Sequence, residues 1–241
     1  MGKIFRYECR RLLWNKFFIW LAVVLLLYGA LVLHAVTILG VAHTAPFSPW
    51  SFGDYLSRMI PLLWIGSLFF LIFFTSGKAR RAAVLTDAAP MEPRQYALAR
   101  CGAALLGTGL LTLACLGEAA VLYGWYFGWY GWEKLVLPAL VTLAHSLVFA
   151  LGSGWLLGQL RPWLVYVWMV VPFALLAQPL SETLGIWNGI FFTRYPLTLE
   201  ALDPAFSIPA AVLLAQGLLL AAGAALLALR PMKRRSSNRA V

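Results

Sequence analysis

Six long apolar stretches constrain this chain more than any other feature of its sequence. A helix needs about 20 mainly apolar residues to cross the hydrocarbon core of a bilayer. Six successive segments meet that requirement: Phe17–Gly40, Met59–Ser76, Arg100–Tyr123, Leu135–Gly158, Trp163–Leu180 and Ile208–Leu229. None alternates polar and apolar residues, as the strands of a membrane barrel do. The sequence therefore predicts an all-α membrane protein with six transmembrane helices, forming one transmembrane domain over residues 1–241.

Composition excludes the soluble classes of protein. Hydrophobic residues make up 62% of the chain and charged residues 12%, whereas soluble domains carry about 45–50% and about 25%. Nine acids and 19 bases cannot give a globule of this size a polar surface. A cytosolic enzyme and a disordered chain are excluded on that ground. Three scattered cysteines also predict neither a disulfide framework nor a thiolate metal site.

The basic residues predict the orientation. With the N-terminus inside, sixteen of the 19 lysines and arginines fall in the inner segments, and only Arg58, Lys134 and Arg194 fall outside. Positive residues favour the cytoplasmic side of a membrane. We therefore expect a multi-pass protein of the cytoplasmic membrane, with both termini in the cytoplasm and no nucleic-acid partner. The basic tail 230–241 is expected near anionic lipids.

The first residues of the chain predict an amphipathic helix over 3–16. At 100° per residue, one half is apolar (Ile4, Phe5, Cys9, Leu12, Leu13) and the other largely basic (Lys3, Arg6, Arg10, Arg11). Glu8 falls near the apolar side. Such a helix lies in the headgroup layer, where it serves as an anchor or as a docking surface for a cytoplasmic partner.

The longest inner loop, 77–99, contains a short basic amphipathic piece bounded by glycine and proline. Pro93 suits the first turn of a helix, and no further proline occurs before Pro138. A continuous helix from Pro93 through Arg100 into the third span is therefore predicted. A short stiff element confined between two spans is suited to transmitting force.

This arrangement resembles the permease subunits of type-2 ABC exporters. In that family the second-to-third loop commonly has Leu-(x)₄-Pro, then a polar or basic stretch, then an aliphatic helix with a base ten residues after the proline. Leu85, Pro90, Arg94 and Arg100 match those positions, while Ala88 stands where the family often has Glu. The likeness extends in topology over nearly the whole chain.

The resemblance implies that residues 77–99 contain a coupling helix that docks into a separate ATP-binding subunit. The residues it assigns to that contact are Arg80, Arg81, Leu85, Asp87, Pro90, Met91 and Arg94. It also implies two permease chains, identical or related, paired with two ATP-binding subunits that hold the ATP and Mg²⁺. Spans five and six would be joined by short re-entrant outer helices, a feature that 181–207 fits.

The chain itself offers no catalytic set. The stretch 76–79 lacks the glycine and the Ser/Thr that a phosphate-binding loop requires. Ser153 and His145 are eight residues apart on one predicted helix, about 12 Å along its axis, so they cannot act as nucleophile and base. Histidines paired for haem are not evident either. We expect no enzyme activity, cofactor or metal in this chain.

Five polar residues fall in the outer halves of the predicted spans: His34, Glu118, His145, Gln178 and Gln216. Polar groups within a membrane face the bundle interior or a water-filled cavity. They either line a translocation path or form interhelical hydrogen bonds. The aromatic loop 125–132 similarly indicates an interfacial belt or a surface for a departing amphipathic substrate.

The sequence thus favours the permease subunit of an ATP-driven exporter for a hydrophobic or amphipathic substrate. A peptide, an antibiotic and a lipid are all compatible with it. The alternative is a membrane protein without transport activity, either an immunity or scaffold factor or an intramembrane enzyme.

Overall fold

The computed structural model describes residues 2–75, 93–181, 183–199, 201 and 203–228, and every regular element in those ranges is helical. The α-helices are α1 (Gly2–Leu13), α2 (Lys16–Ala35), α3 (Pro49–Thr75), α4 (Pro93–Phe127), α5 (Glu133–Ala139), α6 (His145–Leu160), α7 (Pro162–Leu176), α8 (Ile190–Arg194) and α9 (Ala210–Ala228). A π-helical turn, Leu140–Ala144, joins α5 to α6. Turns of 3₁₀ helix, Thr37–Leu39 and Tyr195–Leu199, follow α2 and α8.

Within the described ranges, five helical segments are long and apolar enough to cross a membrane: Lys16–Leu39, Pro49–Phe73, Leu98–Phe127, Glu133–Leu160 and Ala210–Ala228. The described part of the chain is thus all-helical, and its long apolar helices indicate a multi-pass membrane protein, as predicted. The fifth predicted span contains only the 15 residues of α7. Such a helix is about 22 Å long, short of the roughly 30 Å hydrocarbon core. The count of six spans stays a prediction.

Helix α3 begins ten residues before the predicted start of the second span, at Pro49 instead of Met59. In the sequence, Arg58 marks a break in the apolar run. In the structure, its Nε donates to Asp54 Oδ2 at 2.8 Å, one turn earlier on the same helix. Pairing within the helix explains why it continues through this charge.

Helix α3 is also the centre of the bundle. It runs antiparallel to α2 and α4 and parallel to α6. Residues of these three helices contact it along its length. The contacts that define these directions are Phe17 with Phe69 and Gly29 with Tyr55 for α2, Thr108 with Ser67 and Cys115 with Tyr55 for α4, and Phe149 with Trp64 and Gly154 with Leu68 for α6.

The chain between α7 and α9 folds back against α3. Phe191 and Phe192 are fully buried there. The ring of Trp187 lies 5.3 Å from that of Trp64, which stands in the middle of α3. A short helix and a 3₁₀ turn occupy residues 190–199, and the contact with Trp64 brings this segment against α3. The re-entrant path expected of 181–207 stays a prediction.

Helix α1 packs along the first turns of α4, not apart from the bundle. Leu12 is buried against Gly107. Glu8, on the same face, is 1% exposed and lies 3.8 Å from a guanidinium nitrogen of Arg11 and 3.7 Å from one of Arg100. Cys9 and Leu12 are buried on this side of α1, whereas Arg6, Arg10 and Arg11 are exposed, and the intruding acid lies between two arginines.

The predicted contacts of the inner loop lie outside the described residues: Arg80, Arg81, Leu85, Asp87, Pro90 and Met91. Arg94 belongs to α4, but its side chain is outside the description too, as is the tail 230–241. The predicted continuous helix from Pro93 is confirmed, because α4 runs unbroken for 35 residues.

Candidate functional site: polar contacts and a lateral groove

Glu118 of α4 lies where α2, α3 and α4 meet. The hydroxyl of Tyr55 is 3.2 Å from the carbonyl oxygen of Cys115 and 3.5 Å from Glu118 Oε2. On the opposite side, Gly29 leaves the space that the carboxylate occupies, since a β-carbon at that position would collide with Oε2. The carboxylate therefore fills a notch between three helices, an arrangement suited to interhelical packing.

His145 opens α6, directly after the π-helical turn. Its Nδ1 is 2.8 Å from the carbonyl oxygen of Val141, which can only accept, so Nδ1 carries the proton. Nε2 is then an acceptor facing Ser146 Oγ at 3.0 Å. The single hydroxyl proton of Ser146 serves either Nε2 or the carbonyl of Thr142, 2.8 Å away. The polar contacts of the imidazole thus come from Val141 in the π-helical turn and from the neighbouring Ser146, and its ring also packs against Trp187.

His145 and Ser146 are both buried inside the bundle. Their exposed fractions are 2% and 0%, and neither residue lines the groove described below. Ser153, the other serine of interest, donates to the carbonyl of Phe149 and accepts from Trp168 Nε1 at 2.8 Å. Its hydroxyl therefore joins α6 to α7.

The remaining polar candidates lie in separate places. Gln216 is buried, and its Nε2 donates to the carbonyl of Thr183 at 2.9 Å. His34 is exposed on α2, with its ring 5.3 Å from that of Tyr126. Gln178 is exposed beyond the end of α7. Within the described ranges, no hydrogen bond or ring contact joins two of the five predicted path residues.

Sequence reasoning missed the charged pair of Asp54 and Arg58. The side chain of Asp54 is 1% exposed and that of Arg58 40%. Gly189, with φ +79°, lies so close to Asp54 that a β-carbon there would be 2.6 Å from Oδ1. The carboxylate therefore packs closely against the backbone of the folded-back segment. The sequence did contain a signal for this pair, since opposite charges four residues apart lie next to each other on a helix.

A lateral groove separates α4 from α5 and α6. Two adjoining cavities of about 350 Å³ and 330 Å³ form it, sharing Leu113, Leu116 and Ala139. Its wall includes Gly109 and Gly117, where an added β-carbon would meet nothing within 4 Å. Volumes of about 300–1,000 Å³ with mainly apolar linings are typical of ligand sites. The π-helical turn forms part of the opposite wall.

The groove continues towards the aromatic loop. A third cavity of about 470 Å³ shares Ala120 and Trp132 with its end and is also lined by Trp125 and Tyr130. The last two side chains are 84% and 68% exposed. An apolar trough that ends among amphipathic rings fits a molecule with an apolar tail and a polar head.

No family model, curated protein or solved structure matches this chain. Among the described residues, no three His, Cys, Asp or Glu side chains are grouped closely enough to hold a metal ion. The features of the molecule that bear on its function are therefore the topology, the groove and the polar contacts.

Proposed function

We propose that this chain is the membrane-spanning subunit of an ATP-driven exporter of the type-2 ABC kind. It would move a hydrophobic or amphipathic molecule across the cytoplasmic membrane, with ATP hydrolysed by a separate subunit that docks on residues 77–99. Two permease chains would assemble with two such subunits. The alternative, a membrane protein without transport activity, lacks a specific observation in its favour.

The observation that carries the proposal is the continuity of α4. This helix begins at Pro93, directly after the basic segment expected to contact the ATPase, and runs 35 residues to the aromatic loop. Its length of about 52 Å exceeds the roughly 30 Å hydrocarbon core. A displacement at its first turn would therefore reach Glu118 and one wall of the groove without an intervening hinge.

The lateral groove supports the class of substrate. It lies between two helices that could both span the membrane, so an apolar molecule could enter it from the hydrocarbon. Its lining is nearly all aliphatic, with Thr108 and Thr112 as its hydroxyl groups. Thr112 Oγ1 is buried and has no hydrogen-bond partner among the described residues. The aliphatic lining favours a largely apolar substrate with few polar groups along its tail.

The six-span topology belongs to the same proposal. Helix α7 forms a hairpin with α6, fixed by the contact of Trp168 with Ser153. If α7 together with residues 177–180 crosses the membrane, the number of spans is even and both termini share the cytoplasmic side. The segment 181–207 would then re-enter from the outer face, which its burial against α3 supports.

Coupling can be tested at the inner loop. Single cysteines at positions 85–94 should crosslink to a co-purified ATP-binding subunit. Leu85→Ala with Met91→Ala should weaken that complex and uncouple ATP hydrolysis from export, while membrane insertion survives because neither residue lies in a span. Truncation of 233–241 is the control and should leave export intact. Crosslinks that arise only from outer loops or from the tail would refute the assignment.

The groove can be tested separately. Gly109→Leu with Gly117→Leu should fill it without a clash, because both positions face open space. Export should fall while the fold and the ATPase complex persist. Gly217→Leu on α9 is a matched control, since its β-carbon also meets nothing and it lies outside the groove. Equal export by the two variants would remove the groove from the proposal.

A further inference from the structure

The surface of α1 that points away from α4 is basic and aromatic. Exposed residues recur at intervals of four at Arg6, Arg10 and Trp14, the last of these being the residue directly after α1 ends. Tyr7 lies beside them and is exposed too. Trp14 and Tyr7 expose 81% and 65% of their surface. We name these four residues the α1 outer face.

No acid balances this face. Glu8, the acid of α1, lies on the opposite side in ion pairs with Arg11 and Arg100. Arg6 and Arg10 form no ion pair within the described part of the chain. Like charges four residues apart destabilise a helix slightly, and an anion placed between them would reverse that effect. The unbalanced charge therefore favours an anionic partner.

Contacts place α1 at the end of the spanning helices. Gly107 of α4 lies against both Leu12 and Phe70, and Phe70 in turn packs against Phe18 in the first turn of α2. The C-terminal end of α1 is thus level with the start of α2, where the hydrocarbon core would end. Exposed tryptophan and tyrosine are typical of that level, where their rings lie among lipid headgroups.

We infer that the α1 outer face binds anionic phospholipid headgroups, with Arg6 and Arg10 on the phosphates and with Tyr7 and Trp14 between the lipids. A free acidic protein would match the charge but not the two rings at the membrane surface. Because Glu8 links α1 to Arg100, bound lipid stabilises the contact between α1 and α4.

The test uses the full chain in detergent micelles, titrated with phosphatidylglycerol or phosphatidylcholine. The lipid concentration that half-maximally raises the unfolding temperature is measured. Phosphatidylglycerol should act at lower concentration than phosphatidylcholine, and added salt should reduce the difference. Each base near an anionic surface changes affinity by about fivefold, so Arg6→Gln with Arg10→Gln should raise the half-maximal concentration about 25-fold.

Two variants make the result specific. Lys134→Gln with Arg194→Gln removes two exposed bases elsewhere and should leave the titration unchanged. Arg6→Lys with Arg10→Lys keeps the charge and should keep most of the affinity. Equal effects of the two glutamine pairs, or no preference for phosphatidylglycerol in the parent chain, would overturn the inference. So would loss of an ATP-binding subunit with lipid affinity intact, since that result would assign the face to an acidic protein.

Discussion

A single methyl group at Gly223 should weaken the packing of α9 against α6. Helix α9 buries one narrow face, formed by Val212, Gln216 and Gly223. A β-carbon at position 223 would lie 2.7 Å from both the amide nitrogen and the α-carbon of Phe149. These are backbone atoms of α6 and cannot rotate away. Reaching ordinary van der Waals contact, about 3.5–4.0 Å, requires the two helices to move apart by about 1 Å.

The expected loss of unfolding free energy follows from comparing Gly223→Ala with Gly217→Ala. Alanine is favoured over glycine inside a helix by about 0.8–1.0 kcal/mol, and both variants gain that amount. A β-carbon at position 217 meets nothing within 4 Å, so its variant records the helix propensity alone. Overpacking costs about 1–3 kcal/mol. Gly223→Ala should therefore be less stable than Gly217→Ala by about 1–3 kcal/mol.

Reversible unfolding in mixed detergent micelles, followed by circular dichroism, measures this difference. The unfolding midpoint of Gly217→Ala should equal or exceed that of the parent chain. The unfolding midpoint of Gly223→Ala should be lower than both. If the two variants have the same stability, the backbones of α6 and α9 are not in close contact at Gly223.

Two further substitutions test the polar contacts. Glu118→Gln should change the free energy of unfolding by less than about 1 kcal/mol, because the amide oxygen still accepts from Tyr55; export should nevertheless fall in a vesicle assay, and unchanged export would assign Glu118 to packing alone. Ser153→Ala should destabilise the fold by about 1–3 kcal/mol, because Trp168 Nε1 loses its acceptor; equal melting temperatures of variant and parent would contradict this.

Apolar length and periodicity predict most of the helices in this chain. The unbroken α4 follows from the absence of proline between Pro93 and Pro138, and the faces of α1 follow from a helical wheel. Both signals are local. The start of α3 is missed because hydropathy treats Asp54 and Arg58 as a break, whereas their ion pair neutralises them within the helix.

The candidate site depends on contacts that no local pattern contains. Trp187 reaches Trp64 across more than a hundred residues of sequence, and nothing in either neighbourhood specifies the partner. The groove is a gap between helices, so it depends on how far α4 and α6 diverge. Gly109 and Gly117 are visible in the sequence, but only the packing shows that they face open space, unlike Gly223.

Glu8 of α1 pairs with Arg100 of α4 and with Arg11 of its own helix. Arg100 and Arg11 lie at nearly equal distances from Glu8, 3.7 Å and 3.8 Å, so distance does not rank them. Burial ranks the two arginines, because the side chain of Arg100 is 12% exposed and that of Arg11 is 40% exposed. Solvent screens the exposed pair, whose loss typically costs about 0–1 kcal/mol.

Removing one partner of a buried pair typically costs about 3–5 kcal/mol, because the other charge stays buried without compensation. Arg11 remains beside Glu8 after Arg100→Gln, so the loss should lie at the lower end, about 3 kcal/mol. Arg11→Gln should cost about 1 kcal/mol or less. Unfolding of both variants in the same detergent gives the ranking. If Arg11→Gln is as damaging as Arg100→Gln, burial does not control the strength of this link, and α1 is held to α4 mainly by its apolar face.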